Sequence, residues 1–209
     1  MSTGKLSTAS VVPFVAMMVV VVAASNYLVQ FQFNHFGLGE LLTWGAFTYP
    51  VAFLVNDLAN RRLGPAAARR VVFAGFALAV VLSIWLATPR IAIASGTAFL
   101  VAQLLDTSIF DWLRREQWWR APLLSSVIGS ILDTILFFGL AFAPYFAFVD
   151  GLFGMQDGSL GFGVDFLGRE VPLWVSLAVG DLGVKLLVAL AMLAPYGFLL
   201  SRLKPVETA

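Results

Sequence analysis

The chain has 209 residues, 60% of them hydrophobic and 12% charged, with a mean hydropathy of +0.89. A water-soluble domain is roughly half apolar and about a quarter charged, so a soluble enzyme core is excluded. A formal charge of +1 gives no bulk attraction for nucleic acid, and a chain with no cysteine and a single histidine, His35, has no disulfides, thiolate metal sites or multi-histidine ligand sets.

At about 20 residues per membrane crossing, the length accommodates six spans and no appended domain. The first is 9–33, inside a stretch from Leu6 to Gly39 that lacks Asp, Glu, Lys and Arg. Lys5 followed by an apolar run and the small residues Ala23, Ala24 and Ser25 also fits a cleavable signal peptide, but the hydrophobicity continues past that point and favours a retained span. The second span, 41–60, is broken only by Asp57 and ends where Arg61-Arg62-Leu63-Gly64-Pro65 stops a helix. The third, 69–87, closes at Thr88-Pro89; the fourth, 91–112, holds Asp106 and Asp111; the fifth, 122–149, holds Asp133; the sixth, 171–201, holds Asp181 and Lys185. Unbroken apolar runs exclude an alternating barrel pattern, and a backbone without water must then be helical. The segment 150–170, rich in Gly, reads as an exposed loop with a short interfacial stretch through Leu152, Phe153 and Phe166. The fold class expected is an all-α polytopic membrane protein.

Basic residues set the orientation, because cytoplasmic connections retain them. Arg61, Arg62, Arg69 and Arg70 lie between spans two and three, Arg114, Arg115 and Arg120 between spans four and five, and Lys5, Arg202 and Lys204 near the termini. Arg90 and Arg169 are left for the other side, which places both termini in the cytoplasm. All six tryptophans fall near predicted span ends, as an aromatic belt requires.

Polar groups at membrane depth are the candidates for function, since a carboxylate there costs about 2.5–3.5 kcal/mol on insertion scales. Gln103-Leu-Leu-Asp106-Thr107 in span four resembles Ser130-Ile-Leu-Asp133-Thr134 in span five, on helices of opposite direction, as in an inverted repeat around a shared site. Asp133 and Lys185 fall near the midplane, and Asp106 nearer the cytoplasm. Asp181 and Lys185 are spaced for an i,i+4 ion pair, as are Asp57 and Arg61, and either pair has a purely structural reading. Asn26, Gln30 and Asn56 suit interhelical hydrogen bonds, Trp44 and Tyr49 interfacial anchoring, and Gly129 and Ala102 close helix packing within the chain or in a homodimer. One histidine cannot furnish a metalloprotease, Ser125 and Ser126 have no histidine base on their helix, and no glycine-rich phosphate cradle follows a strand. No cofactor or metal is implied. A bundle with acids, amides, one lysine and aromatics at depth suits a flat polar molecule in transit.

Several segments together resemble the queuosine precursor transporter family, also called the vitamin uptake transporter family. They are Thr43-Trp-Gly-Ala-Phe-Thr-Tyr-Pro50, Asn56-Asp57-Leu58, Leu63-Gly-Pro-Ala-Ala-Ala-Arg-Arg70, Arg90-Ile-Ala-Ile-Ala-Ser95, Gln103-Leu-Leu-Asp106, Trp118-Trp119, Ser130-Ile-Leu-Asp133-Thr134, and Asp181 with Lys185. The similarity runs through nearly the whole chain. Asn56 stands where the family pattern has Thr, and the glycine-rich 150–170 loop is a second departure.

The resemblance implies uptake of 7-cyano-7-deazaguanine or 7-aminomethyl-7-deazaguanine for tRNA queuosine salvage across the bacterial inner membrane. It also implies a fold like the six-helix substrate-binding subunits of energy-coupling-factor transporters. A deazaguanine offers adjacent N–H donors that one carboxylate can accept, with an amide or ammonium for its carbonyl. Asp133 is the first choice for that carboxylate, with Gln103, Asp106 and Asn26 around it, Asp181 and Lys185 beside it, and Phe137 or Trp44 for stacking. Proton coupling through Asp106, Asp133 or Asp181 and facilitated diffusion stay open. So do two rivals: a binding subunit that needs a separate ATPase module, and a ligand-free scaffold.

Overall fold

The computed structural model describes residues 8–28, 31–35, 42–166 and 168–202. Five of its helices are long and apolar enough to cross a membrane: α1 (Thr8–Leu28), α4 (Pro65–Leu86), α5 (Pro89–Leu113), α6 (Arg120–Phe142) and α8 (Leu173–Leu200). The predicted second span is built from two shorter pieces, α2 (Gly45–Thr48) and α3 (Val51–Leu63). Pro50 explains the break. It has no N–H, and the amides of Ala52 and Phe53 reach back only three residues, to Tyr49 and Pro50, tightening the backbone locally.

Other boundaries have equally local causes. Gly64 takes φ +84° between α3 and Pro65 at the start of α4, a conformation open to glycine. Thr88 caps α5, its hydroxyl accepting from the Ile91 amide, with Pro89 at the first helical position. The fifth span stops at Phe142, well short of the predicted 149, because Pro144 pushes Ala143 into extended backbone (ψ 137°). A 3₁₀ turn, Pro144–Phe146, and the short α7 (Ala147–Leu152) follow. The segment expected to be an exposed loop with a short interfacial stretch then contains an antiparallel hairpin, β1 (Gly163–Phe166) with β2 (Arg169–Pro172), Gly168 taking φ +77° in its turn. The first span likewise ends early: past Leu28 the chain returns through a Gln32–Thr43 bridge. Gln30, Lys5 and Lys204 lie outside the described residues.

The antiparallel pair α5 and α6 forms the centre, α8 packs on α6, and α1 packs on α3 and α4. Small residues permit the close approaches. A Cβ on Gly129 would lie 2.8 Å from the Phe53 ring and 3.5 Å from the Ala102 carbonyl, and one on Gly75 would lie 2.6 Å from Met18. Gly129 and Ala102 are therefore used inside the chain, where α5 and α6 cross.

The distribution of polarity is the reverse of a soluble protein's. Ile84, Trp85, Ile135, Leu187 and Phe198 face outward, while Asn56, Asp57, Gln103, Asp106, Ser130 and Asp133 are buried. Trp85 and Trp112, each more than four-fifths exposed, sit near the ends of α4 and α5.

Arg90, two residues into α5, is 2% exposed and acts as a clamp. It donates to the Leu140 and Ala143 carbonyls at the end of α6, to Asp150 at 2.8 Å and to Ser159 at 3.0 Å. Those donors satisfy the orphan carbonyls of α6 and fasten the connection that follows it over the bundle.

Candidate functional site

A cavity of about 580 Å³ lies between the helix ends that share the face of the α4–α5 turn. That volume suits a small organic ligand. Its walls come from Ser25 and Asn26 of α1, Gly45, Ala46 and Tyr49 at the helix break, Ser83 of α4, Ser95 and Ala98 of α5, Phe137 and Phe138 of α6, and Leu177 of α8.

Charge gathers at one place in the lining. Lys185 donates to Asp133 at 2.7 Å, to Asp181 one turn away on α8, and to Thr134 at 3.3 Å, so its three N–H bonds are all taken. The Thr134 hydroxyl donates to Asp181 at 3.1 Å. The Tyr49 hydroxyl points at the other oxygen of Asp133 from 3.4 Å, and its ring centroid lies 5.7 Å from the ammonium. Two carboxyl groups thus share one ammonium. Lys185 and Asp133 are nearly fully buried, whereas the Asp181 side chain keeps 15% exposure. The pairing suggested by the Asp181–Lys185 spacing forms, but it is one half of a three-residue bridge between α6 and α8.

Four of the six candidate residues, Asn26, Asp133, Asp181 and Lys185, line this cavity. Asn26 also donates to the Val22 carbonyl of its own helix. Gln103 and Asp106 are absent from the lining; they belong to a separate polar layer between α3 and α5. There Asn56 donates to Asp106 at 2.9 Å and to the Gln103 carbonyl at 3.1 Å, and Thr107 bonds with Asn56 and Gln103. Asp57 accepts from Ser125 at 3.3 Å and Ser126 at 3.5 Å. Arg61 donates elsewhere than to Asp57, to the Tyr196 hydroxyl and the Arg114 carbonyl.

Of the two aromatic candidates, Phe137 lines the cavity, edge-on to Phe138 at 5.2 Å, while Trp44 packs at the rim against Phe33 and Phe47. Tyr49 was expected to be an interfacial anchor and stands instead beside Asp133. The signal for it was the adjacent Pro50, since a proline within a span marks a broken helix whose irregular backbone lines a cavity.

The family model described as "Putative vitamin uptake transporter" matches residues 43–88 and 82–199. The chain belongs to this family. Its relatives include the Queuosine precursor transporter of Escherichia coli K12, 33% identical over 205 residues that cover 88% of this chain and 83% of that protein. The Probable queuosine precursor transporter of Haemophilus influenzae Rd is 34% identical over 206 residues, covering 83% of this chain and 85% of that protein. The Bacillus subtilis 168 protein with the same printed name is 26% identical over 132 residues, half of this chain and 58% of its own. No solved structure matches the chain. As a member of the vitamin uptake transporter family this is a multi-pass bacterial membrane protein that transports and does not catalyse.

Proposed function

We propose that the protein takes up queuosine precursors, the 7-deazaguanine bases with a cyano or aminomethyl group at position 7, across the bacterial inner membrane for tRNA queuosine salvage. The observation that carries this is the alternation of one ammonium with carboxyl oxygens along the cavity lining, at Lys185, Asp133 and Asp181. A guanine-type edge presents a carbonyl acceptor, a ring N–H and an exocyclic amine in a row. Lys185 turns one N–H from an internal partner to the carbonyl, Asp133 accepts the two donors, and Phe137 offers a ring face for stacking. Asp181, across Lys185 from Asp133 and partly exposed, accepts from an aminomethyl substituent next to that carbonyl. The printed names of the Escherichia coli and Haemophilus influenzae relatives agree with this chemistry.

Six spans, with α2 and α3 together making the second and both termini cytoplasmic, complete the reading. The cavity then opens outward, and the bundle is similar to the substrate-binding subunits of energy-coupling-factor transporters while working without an ATPase module. Gln103 and Asp106 serve the same path at greater depth.

The test is complementation of a bacterium unable to synthesise 7-deazaguanines, supplied with the base outside and assayed for queuosine in tRNA. Wild type restores queuosine, and Asp133→Asn abolishes it with the protein still inserted. A normally inserted wild type that restores none overturns the proposal. Uptake by the purified chain alone in liposomes, with and without a proton gradient, decides between carrier and subunit and between coupled and facilitated movement.

A further inference from the structure

The polar layer beneath the cavity carries a feature that a purely structural lock does not explain. Both amide atoms of Gln103 and the Ser130 hydroxyl are buried without a hydrogen-bond partner. Each residue is 0% exposed. An unsatisfied buried polar atom costs about 1–3 kcal/mol, and an interior that only needed packing would use leucine or alanine at those positions.

Position supplies the second observation. α5 and α6 run antiparallel and cross where Gly129 meets the Ala102 carbonyl. Gln103 and Ser130 are the next residues on their respective helices, and three residues further along stand Asp106 and Asp133, displaced from the crossing in opposite directions. The following residues repeat as well: Thr134 bonds to the Lys185–Asp181 pair above, and Thr107 bonds to Asn56 below. Asp133 is served by a polar residue of a third helix, Lys185, and Asp106 likewise by Asn56. The cavity therefore has a counterpart on the opposite side of the crossing, with an acid, an amide and hydroxyls, but collapsed.

A crevice between α3, α6 and α8, lined by Asp57, Ser126 and Tyr196, has room of about 10 Å³, barely one water. Arg61, on α3, donates to the Tyr196 hydroxyl of that lining at 2.9 Å and lies over the Phe110 ring.

We propose that Gln103, Asp106 and Ser130 form a second binding station for the same guanine-like base, occupied when the outer cavity has closed and Arg61 has parted from Tyr196. The proposal rests on the uptake reading above. The orphaned amide of Gln103 supplies N–H donors and a carbonyl acceptor and the Ser130 hydroxyl supplies one group of either kind, beside an Asp106 carboxyl that Asn56 and Asp57 engage, so the complement to a guanine edge is present without a salt bridge to break.

The test uses the full chain in membrane vesicles of both orientations, with 7-cyano-7-deazaguanine as probe. Gln103→Leu raises KM for the base presented at the face of the 114–119 connection at least tenfold, the scale of one lost buried hydrogen-bond pair. It leaves KM from the cavity face within about threefold and thermal stability at or above wild type. Ser130→Ala, a smaller change, is read in the same way should the leucine variant fail to insert. Equal KM changes at both faces, or none, overturn the second station while uptake by wild type still stands. A wild type that carries the base from neither face overturns the uptake reading and this proposal with it.

Discussion

Lys185 is the residue on which the polar bridge in the cavity lining turns. Removing one partner of a buried ion pair leaves an uncompensated charge and costs about 3–5 kcal/mol. Here a single ammonium answers two carboxyl groups, so Lys185→Met is expected to cost at least that much in detergent unfolding. Adding Asp133→Asn and Asp181→Asn to Lys185→Met restores most of the stability but not binding of the base. If the triple variant still binds, the bridge is only a fastening between α6 and α8. Tyr49 gives a finer test. Its hydroxyl is 3.4 Å from Asp133, long for an O–H···O bond, so Tyr49→Phe weakens affinity by less than about fivefold. Tyr49→Ala also removes the ring that packs on Phe99 and loses substantially more, as equilibrium binding would show.

At the level of elements, close approach decides what is tolerated. Gly129 and Gly139 share α6, yet a Cβ at 129 would strike Phe53, and one at 139 would meet nothing within 4 Å. Gly129→Leu is expected to cost about 1–3 kcal/mol by overpacking, and Gly139→Ala to be neutral or stabilising by up to about 1 kcal/mol, measured by thermal unfolding. Sequence periodicity located the long helices because an apolar run without charge has one solution in lipid. It missed two punctuation marks that were present as residues: Pro50 divides the second span, and Pro144 ends the fifth. The hairpin Gly163–Pro172 left little trace, since strands of four residues are too short for an alternation to stand out.

For the whole molecule, the site was legible only in part. Depth arithmetic along single helices found Asp133, Asp181 and Lys185, but it cannot say which helices converge, so it gathered Gln103 and Asp106 around the same cavity. The crossing at Gly129 separates them into two layers. Orientation remains a prediction, and the natural absence of cysteine makes it easy to test. Met155→Cys, in the outer connection, should react with a membrane-impermeant maleimide in intact cells, and Glu116→Cys only after permeabilisation; both positions are exposed. The reverse pattern would invert the carrier and the direction assigned to its cavity.

The bridge among Lys185, Asp133 and Asp181 has a consequence for the idle protein. A vacant pocket with two naked acids would attract sodium or other small ions and become a leak across an energised membrane. Because the counter-charge is tethered to the chain itself, a passing ion finds at most one unmatched negative charge. Under the proposed uptake, a solute held there displaces an internal partner, which limits how tightly it is gripped, favours quick unloading and spares the cell's electrochemical gradient between trips.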